Sequence, residues 1–156
     1  MVKVLFVCLG NICRSPMAEA VFRDLVNKEQ LSEQIEVDSA GTAFWHEGKP
    51  PHHGTRTKLD ALKISYDGMV ARQIKNQDFE QFDYIITMDD DNMESIRSEF
   101  NYSDQIIVKK LMDFVDEPKE INVPDPYYTG NFDYTYELIK DACDQLLHYI
   151  KIHHNL

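Results

Sequence analysis

The fold is decided at residues 2–16, which read V-K-V-L-F-V-C-L-G-N-I-C-R-S-P. The apolar and β-branched run that opens this stretch predicts a buried strand ending at Cys8. Gly10 and Asn11 can both adopt a positive φ, which indicates a tight loop. Because Ser is a favoured N-cap and Pro is favoured at the first helical position, the Ser-Pro pair at 15–16 predicts a helix start. The stretch therefore predicts a strand, a loop and a helix in immediate succession.

This loop has the chemistry of a phosphate-binding site. Backbone N–H groups converge where a loop enters a helix, and the helix dipole adds partial positive charge there. Arg14 adds a planar cation that can hold two phosphate oxygens at once. The same field favours the thiolate form of Cys8, a nucleophile aimed at phosphorus, and the hydroxyl of Ser15 can donate to its sulfur. The alternative is that Cys8 is a small buried apolar residue and Arg14 a solvated surface charge.

Residues 8–16 resemble the hallmark of the low-molecular-weight protein tyrosine phosphatases, C-x-G-N-x-C-R-S-P directly after the first strand. The resemblance implies that Cys8 is the nucleophile and Arg14 the phosphate clamp. It also implies that the remaining loop residues bind phosphate, namely Leu9, Gly10, Asn11, Ile12, Cys13 and Ser15. Further segments are similar to the family, at 37–42 with Trp45, at 70–73, at 87–89 with Asn92 and at 124–128.

Size and charge narrow the functional classes. The chain has 156 residues, 16 of them basic and 27 acidic, and a net charge of −11, so we expect one domain over 1–156. Nucleic acid and anionic membranes require a basic face, and neither is an expected partner. No apolar run approaches the ~20 residues of a membrane span, and the N-terminal run is too short for a signal peptide. Three cysteines are a sparse, odd set, which favours a reducing cytoplasm over a disulfide scaffold. We expect a monomer or a weak dimer.

Strand and helix patterns alternate along the chain. We predict strands at 2–7, 35–40, 82–88 and 105–111, and helices at 16–29, 55–63, 89–100 and 131–152. This alternation predicts a three-layer α/β domain, a four-stranded parallel sheet with helices on both faces. Ligands of such sheets bind beyond the carboxyl ends of the strands, which is where the Cys8 loop lies. The family resemblance adds the strand order 2-1-3-4.

Asp125 is the candidate general acid. It follows the last strand, in a segment that should return over the carboxyl edge of the sheet, and Pro124 and Pro126 restrict the backbone on both sides. A nearby thiolate and phosphate dianion favour the protonated form of its carboxyl, and the family resemblance supports the role. The run of three aspartates at 89–91 is a rival by charge alone. Its position at a predicted helix start favours capping.

Other residues are predicted to support the site. Asn11 should brace the loop, and the resemblance implies Ser39 as its partner. Trp45, Tyr127 and Tyr128 are predicted to wall a slot for an aromatic ring.

The two remaining cysteines and the paired histidines are not predicted to take part in catalysis directly. Cys13 is a candidate for a reversible, protective disulfide with Cys8, or else a small residue packed under the loop. Cys143 lies on an apolar helix stripe and is predicted to be core. The adjacent histidines at 52–53 and 153–154 have no ligand set at metal spacing, so we predict solvated side chains and no metal.

The chain departs from the family pattern at three places. His-His-Gly follows the two prolines at 50–51, where many relatives carry Asp-Pro-Arg, so substrate preference is open there. Met69 stands where many relatives have His, so a supporting hydrogen bond of the loop is absent or rerouted. Thr129 precedes Gly130, where a glycine often follows the tyrosines directly.

The predicted activity is hydrolysis of protein phosphotyrosine through a phosphocysteine, with inorganic phosphate as product and without metal or organic cofactor. One alternative is a protein arginine phosphatase, whose family branch typically carries Thr where this chain has Ile12. Another is an arsenate reductase, which needs further cysteines that the segment 82–100 lacks. A third is a non-catalytic phosphate-binding module, which would need Arg14 but neither Cys8 nor Asp125.

Overall fold

The computed structural model describes every residue from Met1 to Leu156. The elements in chain order are β1 (Val2–Cys8), α1 (Arg14–Lys28), β2 (Ile35–Gly41), α2 (His53–Ala61), α3 (Asp78–Gln81), β3 (Tyr84–Thr87), α4 (Asp90–Glu99), β4 (Ile107–Lys110), a 3₁₀ turn (Leu111–Phe114), α5 (Pro126–Thr129) and α6 (Phe132–His154). None of the helices is both long enough and apolar enough to span a membrane.

The four strands form one parallel sheet in the order β2-β1-β3-β4. The predicted fold class and strand order are thus confirmed. In the register between the first two strands, Cys8 lies opposite Gly41. The nucleophile candidate therefore stands at the carboxyl end of a central strand, beside the point where the chain order of the strands reverses, as expected for ligand sites in open α/β sheets.

Side-chain alternation along β1 builds both faces of the core. Val4, Phe6 and Cys8 belong to the large apolar cluster formed with α1 and α6. Leu5 and Val7 point to the opposite face, into a smaller cluster with α3 and α4. Because successive strand residues face opposite sides, the thiol of Cys8 is directed towards the layer that contains α1, the helix entered from its own loop.

The helix start differs from the sequence prediction. Arg14 is the first residue of α1, and Cys13 occupies the N-cap without a side-chain bond to the helix. The prediction that Ser15 caps this helix is wrong, because its hydroxyl contacts Cys8 Sγ instead. The short helices α3 and α5 were not predicted, since an element of four residues shows no helical periodicity in the sequence.

The prediction of solvated histidine pairs is wrong at His52, which is half-buried, whereas His53, His153 and His154 are exposed as predicted. His52 Nδ1 accepts a hydrogen bond from Gly54 N at 3.0 Å and caps α2. The ring of His153 stacks on Tyr149, and His154 Nε2 lies 2.9 Å from the hydroxyl of Tyr84. Only His53 is exposed without such a contact. Tyr84 lies 70 positions from His154, so the local sequence could not indicate this contact.

Candidate functional site

Cys8 is buried at the base of a cleft at the carboxyl edge of the sheet. Its residue exposure is 3%, and Sγ lies 3.0 Å from the hydroxyl oxygen of Ser15. Residues 8–15 form what we call the phosphate loop, which wraps around this sulfur and leads into α1.

The backbone carbonyls and the backbone N–H groups of the phosphate loop differ in their hydrogen-bond partners. The carbonyls of Cys8, Leu9 and Ile12 accept from backbone N–H groups of Thr42, Ala43 and His52, at 2.9, 2.9 and 2.6 Å. No backbone N–H group from 9 to 15 donates to a protein carbonyl. Three loop carbonyls are thus bonded to neighbouring elements while the loop N–H groups keep no protein acceptor, which is the arrangement expected of an anion-binding nest.

The two loop residues expected to permit positive φ have different roles. Asn11 adopts a left-handed conformation with φ of 56°, which Asn tolerates better than most residues. Gly10 does not adopt positive φ, but a Cβ there would lie 2.9 Å from His46 Cδ2. A side chain at position 10 would therefore displace the imidazole of His46, which packs directly over the loop.

A buried hydrogen-bond chain supports Cys8. Asn11 Oδ1 accepts from Arg72 N at 3.0 Å, so the amide group is oriented and Nδ2 must donate. Nδ2 donates to Ser15 Oγ at 2.7 Å and to Ser39 Oγ at 3.0 Å. Because the oxygen of Ser15 accepts from Asn11, its proton can be donated to Cys8 Sγ at 3.0 Å or to the carbonyl of Ala40 at 3.4 Å. The sequence analysis paired Asn11 with Ser39 and Ser15 with Cys8. The structure brings both pairs together and also joins Asn11 to Ser15.

This chain of hydrogen bonds ends at the carboxylate of Glu19, which the sequence analysis did not identify. Ser39 Oγ donates to Glu19 Oε1 at 2.6 Å, and Glu19 Oε2 accepts from Arg23. Burial raises the pKa of Glu19, against hydrogen bonds from Ser39 and Arg23 that lower it. Met69, one of the departures named above, only approaches Arg23 Nη1 with its sulfur, at 3.9 Å. In this chain the hydroxyl of Ser39 is supported by Glu19, and Glu19 in turn by Arg23.

Arg14 joins the phosphate loop to the opposite wall of the cleft. Its Nη1 donates to Asp89 Oδ2 at 2.6 Å and to the carbonyl of Val123 at 2.9 Å, and Nη2 lies 3.4 Å from Asp125 Oδ2. Burial by itself would lower the pKa of Arg14, but the negative groups of Cys8, Asp125 and Asp89 raise it overall. Nε is buried without a protein partner, so a donor of this guanidinium is free to serve a ligand.

Asp89 performs two functions at once. Its Oδ1 caps α4 by accepting from Asn92 N at 2.8 Å, as the sequence predicted. Its Oδ2 holds Arg14, a role that the sequence reading did not assign. The two residues are 75 positions apart, and no local pattern connects them.

Asp125 lies on what we call the acid segment, residues 122–130. Its Oδ1 accepts from Tyr127 N at 3.1 Å and caps α5, while Oδ2 faces Arg14. The segment is joined to the sheet just before Asp125, where Val123 N donates to the carbonyl of Met88 at 2.8 Å. The return of this segment over the carboxyl edge therefore brings a carboxylate to the cleft that contains Cys8.

The cleft has a volume of about 150 Å³. Its lining residues are Cys8, Leu9, Gly10, Ile12, Cys13, Trp45, His46, Asp125, Tyr127 and Tyr128. Trp45 is 62% exposed, and Tyr127 and Tyr128 are 54% and 77% exposed, so these aromatic side chains stand at the mouth and not in the core. His46 was not predicted here, although its neighbour Trp45 was.

The other two cysteines differ from Cys8 in their surroundings. Cys13 is buried in the loop, and burial, followed by the negative charges of Cys8 and Asp125, raises the pKa of its thiol to about 12. Cys13 is therefore a protonated thiol beside the cleft, and its redox role stays a prediction. Cys143 lies in the large apolar cluster, as predicted, and burial raises the pKa of its thiol.

Comparisons with known proteins agree on one family. The family described as low molecular weight phosphotyrosine protein phosphatase matches residues 3–155. The low molecular weight protein-tyrosine-phosphatase YfkJ of Bacillus subtilis is 54% identical over 147 residues, which cover 94% of each chain. The crystal structure of YfkJ superposes with a TM-score of 0.95 at 53% identity, covering 98% of this chain and 96% of that one.

One solved structure that is similar to this chain is named for a different substrate. The Drosophila arginine phosphatase superposes with a TM-score of 0.87 at 33% identity, covering 96% of this chain and 98% of that one. The family match nonetheless spans nearly the whole chain, and it includes the loop, the arginine and the acid segment described above. The chain therefore belongs to the low molecular weight phosphotyrosine protein phosphatases, a family of hydrolytic enzymes.

Proposed function

We propose that this enzyme hydrolyses phosphotyrosine in proteins through a covalent phosphocysteine, with Cys8 as nucleophile, Arg14 as phosphate clamp and Asp125 as general acid and base. The observation that carries the proposal is the meeting of three features: a buried sulfur that lines the cleft, a loop whose N–H groups have no protein acceptor, and a guanidinium that contacts Asp125, another lining residue. A phosphoryl group is the tetrahedral anion that would satisfy all these donors.

In the first step, Cys8 Sγ attacks phosphorus in line with the departing oxygen. The S–P bond forms as the bond between phosphorus and the phenolic oxygen breaks. Loop amides and Arg14 stabilise the equatorial oxygens, over which charge is spread in the transition state. Asp125 gives its proton to the phenolic oxygen, which leaves as neutral tyrosine. The hydrogen bond from Ser15 to the sulfur supports the thiolate before attack.

In the second step, Asp125 accepts a proton from water, and the resulting hydroxide attacks the phosphocysteine. The S–P bond breaks, inorganic phosphate leaves and the thiolate of Cys8 is restored. Ser15 again serves as donor to sulfur, now as the leaving group. No other group is needed to balance protons, because the proton lost by Asp125 in the first step returns in the second.

The aromatic side chains at the entrance of the cleft favour a substrate that carries an aromatic ring. Cys8 is buried at the base of the cleft, so a phosphate must be carried inward on a long side chain. Trp45, Tyr127 and Tyr128 stand around the entrance, where a tyrosyl ring would stack against them. A phosphoserine side chain is shorter and has no ring, and it would use neither feature.

Phosphoarginine is the second candidate substrate, favoured by the likeness to the Drosophila arginine phosphatase. Ile12 is an apolar lining residue of the cleft, and a bulky aliphatic side chain there suits a flat ring better than a guanidinium. An arsenate reductase is disfavoured because Cys143, the cysteine outside the loop, is buried in the core and is not placed for a disulfide relay.

The test is a comparison of kcat/KM on matched peptides that carry phosphotyrosine, phosphoarginine or phosphoserine, with vanadate as inhibitor. We expect phosphotyrosine to be preferred. Cys8→Ser should lower kcat on the order of 10⁴-fold or more while ligand binding persists, as removal of a covalent nucleophile does. Asp125→Ala should lower kcat on phenyl phosphate by ~10²-fold or more and have less effect on p-nitrophenyl phosphate, which has the better leaving group.

Cys143→Ala is the matched control, a cysteine replaced outside the cleft, and it should keep the wild-type rate. Acid quenching of Asp125→Ala during turnover should trap a phosphorylated protein, and the same experiment on Cys8→Ser should trap none. Undiminished hydrolysis by Cys8→Ser would overturn the mechanism. A preference for the phosphoarginine peptide would replace the proposed substrate and leave the mechanism in place.

A further inference from the structure

His52 lies at the junction of the phosphate loop and the acid segment. Its backbone N–H donates to the carbonyl of Ile12 at 2.6 Å, which fixes the residue against the phosphate loop. Its ring stacks on Phe132, with centroids 5.2 Å apart and planes at 17°. The ring also meets Tyr127 edge to face, with centroids 5.8 Å apart and planes at 72°. One side chain therefore contacts both the start of α6 and the acid segment.

The backbone around His52 is shaped to admit this packing. Nδ1 of His52 accepts from Gly54 N and caps α2, which fixes the orientation of the imidazole plane. Any Cβ at position 54 would overlap the ring of Phe132, so glycine is required for the helix start to approach α6 this closely. The histidine, the glycine and Phe132 thus form one packed unit.

Tyr127 connects this unit to the acid. The backbone N–H of Tyr127 donates to Asp125 Oδ1 at 3.1 Å, and it is this bond that sets the direction of the carboxylate. The ring of Tyr127 is otherwise exposed and meets Tyr128 edge to face at 5.4 Å. The geometry points to His52 as a positioning residue, whose ring holds Tyr127 in place and thereby keeps the carboxyl of Asp125 directed into the cleft. This inference rests on the proposed role of Asp125 as general acid.

The two contributions of His52 can be separated by substitution. Asn is a good N-cap and would keep the bond from Gly54 N, but it has no ring. Phe would keep a ring between Tyr127 and Phe132, but it cannot accept a hydrogen bond. If His52 only stabilised the fold, activity would follow stability, and His52→Asn would be more active than His52→Phe. A positioning ring makes the less stable variant, His52→Phe, the more active.

The experiment compares wild type, His52→Asn, His52→Phe and His52→Ala on phenyl phosphate and p-nitrophenyl phosphate. We expect kcat on phenyl phosphate to fall about 10-fold in His52→Asn and His52→Ala, part of the ~10²–10⁴-fold contribution of a positioned acid. On p-nitrophenyl phosphate the loss should be about twofold, because a good leaving group needs little protonation. His52→Phe should keep kcat on both substrates within about twofold of wild type while melting at a lower temperature.

Amide hydrogen exchange at residues 127–130 gives a readout that does not depend on turnover. We expect faster exchange in His52→Asn and His52→Ala, and wild-type protection in His52→Phe and in the control His53→Ala, an exposed neighbour. Unchanged phenyl phosphate kcat and amide protection in His52→Asn would overturn the inference, as would an equal loss in His52→Phe and His52→Ala. A wild type without aryl phosphatase activity would instead refute the proposed function, with the exchange pattern still deciding whether His52 holds the segment.

Discussion

The phosphate loop and the acid segment meet at one cleft but are held in different ways. In the loop, the side chains of Asn11 and Ser15 are fully engaged with buried partners, and backbone carbonyls bond outward to neighbouring elements. In the acid segment, Tyr127 and Tyr128 are exposed. Asp125 is held by its own short helix and by a long contact of 3.4 Å to Arg14.

This difference indicates how each half of the chemistry depends on the rest of the protein. Cys8 and the phosphate loop are parts of the core, so their geometry persists as long as the domain folds. The acid depends on a few contacts from distant residues, and segments with few buried contacts open most readily. Changes on the acid side should therefore alter proton donation and leave the reactivity of Cys8 intact. Changes on the loop side should alter both.

Arg14→Lys should have the largest effect, because this guanidinium touches both regions. A lysine offers a point charge in place of a planar fork and cannot bond Asp89, Val123 O and phosphate at once. We expect kcat/KM on p-nitrophenyl phosphate to fall by about 10³-fold, near the upper end for loss of one oxyanion donor. Vanadate affinity, measured by inhibition, should fall in parallel.

Arg97→Lys provides the control, since Arg97 is exposed on α4 and remote from the cleft lining. It should match wild type in both measurements. A variant Arg14→Lys with weakened vanadate binding but normal kcat would mean that the guanidinium binds the ground state alone, contrary to the proposed clamp.

The sequence could predict what is local. The strand, the loop, Cys8, Arg14 and Asp125 are each marked by neighbouring residues, and strand order followed from the family resemblance. Glu19 could not be identified, because on a helix it reads as an ordinary polar position and its partner Ser39 is on another element. Asp89 was recognised as a cap, but its bond to Arg14 depends on tertiary placement. The structural role of His52 depends on a tyrosine and a phenylalanine some 75–80 residues further along the chain.

Glu19→Gln should have the next largest effect and should act through the loop. An ionised carboxylate can only accept hydrogen bonds, so the hydroxyl of Ser39 must donate to Glu19. The oxygen of Ser39 is then left to accept the hydrogen bond from Asn11 Nδ2. Glutamine can donate to Ser39 and reverse that order. We expect kcat to fall about 10-fold and the melting temperature to drop, since an unsatisfied buried group costs ~1–3 kcal/mol.

The rate of Cys8 alkylation by iodoacetate is the deciding measurement for Glu19→Gln, and it should slow together with turnover. Glu36→Gln is the control, because Glu36 is exposed on β2 and pairs only with Lys3. Normal alkylation with impaired turnover would place Glu19 on the acid side and contradict the division between the two regions.

Lys110→Met should have a smaller effect, confined to the acid side. Lys110 Nζ bonds Asp90 Oδ1 at 2.9 Å and Asn122 Oδ1 at 3.2 Å, and Asn122 also contacts Asp90. These three contacts fix Asn122, the first residue of the acid segment. We expect a loss of about fivefold in kcat on phenyl phosphate, a small part of what a positioned acid supplies. Alkylation of Cys8 should proceed at the wild-type rate, and the exposed neighbour variant Lys109→Met should change neither. Slower alkylation in Lys110→Met would show that the two regions are coupled.

The smallest effect concerns the pH dependence of stability at the junction. Burial lowers the pKa of His52 from its ordinary value. The groups that act on it are His53, Arg56 and His46, which lower its pKa further, and Asp125, which raises it. A lowered pKa in the folded state means that folding favours the neutral ring, whose Nδ1 can accept from Gly54 N. The stabilisation is therefore complete above the unfolded pKa of ~6.5 and is lost as the pH falls through the folded value.

His52→Asn isolates this effect, because an asparagine caps the helix at any pH. Between pH 7.5 and pH 5, the unfolding free energy of wild type should decline relative to that of His52→Asn by less than ~1 kcal/mol, the scale of one N-cap. Urea unfolding at a series of pH values measures the difference directly, and other titrating groups cancel between the two proteins. A constant difference across the range would show that the cap does not depend on the protonation of His52. The imidazole would then contribute to the junction through its ring alone, which is the contribution that holds the acid segment.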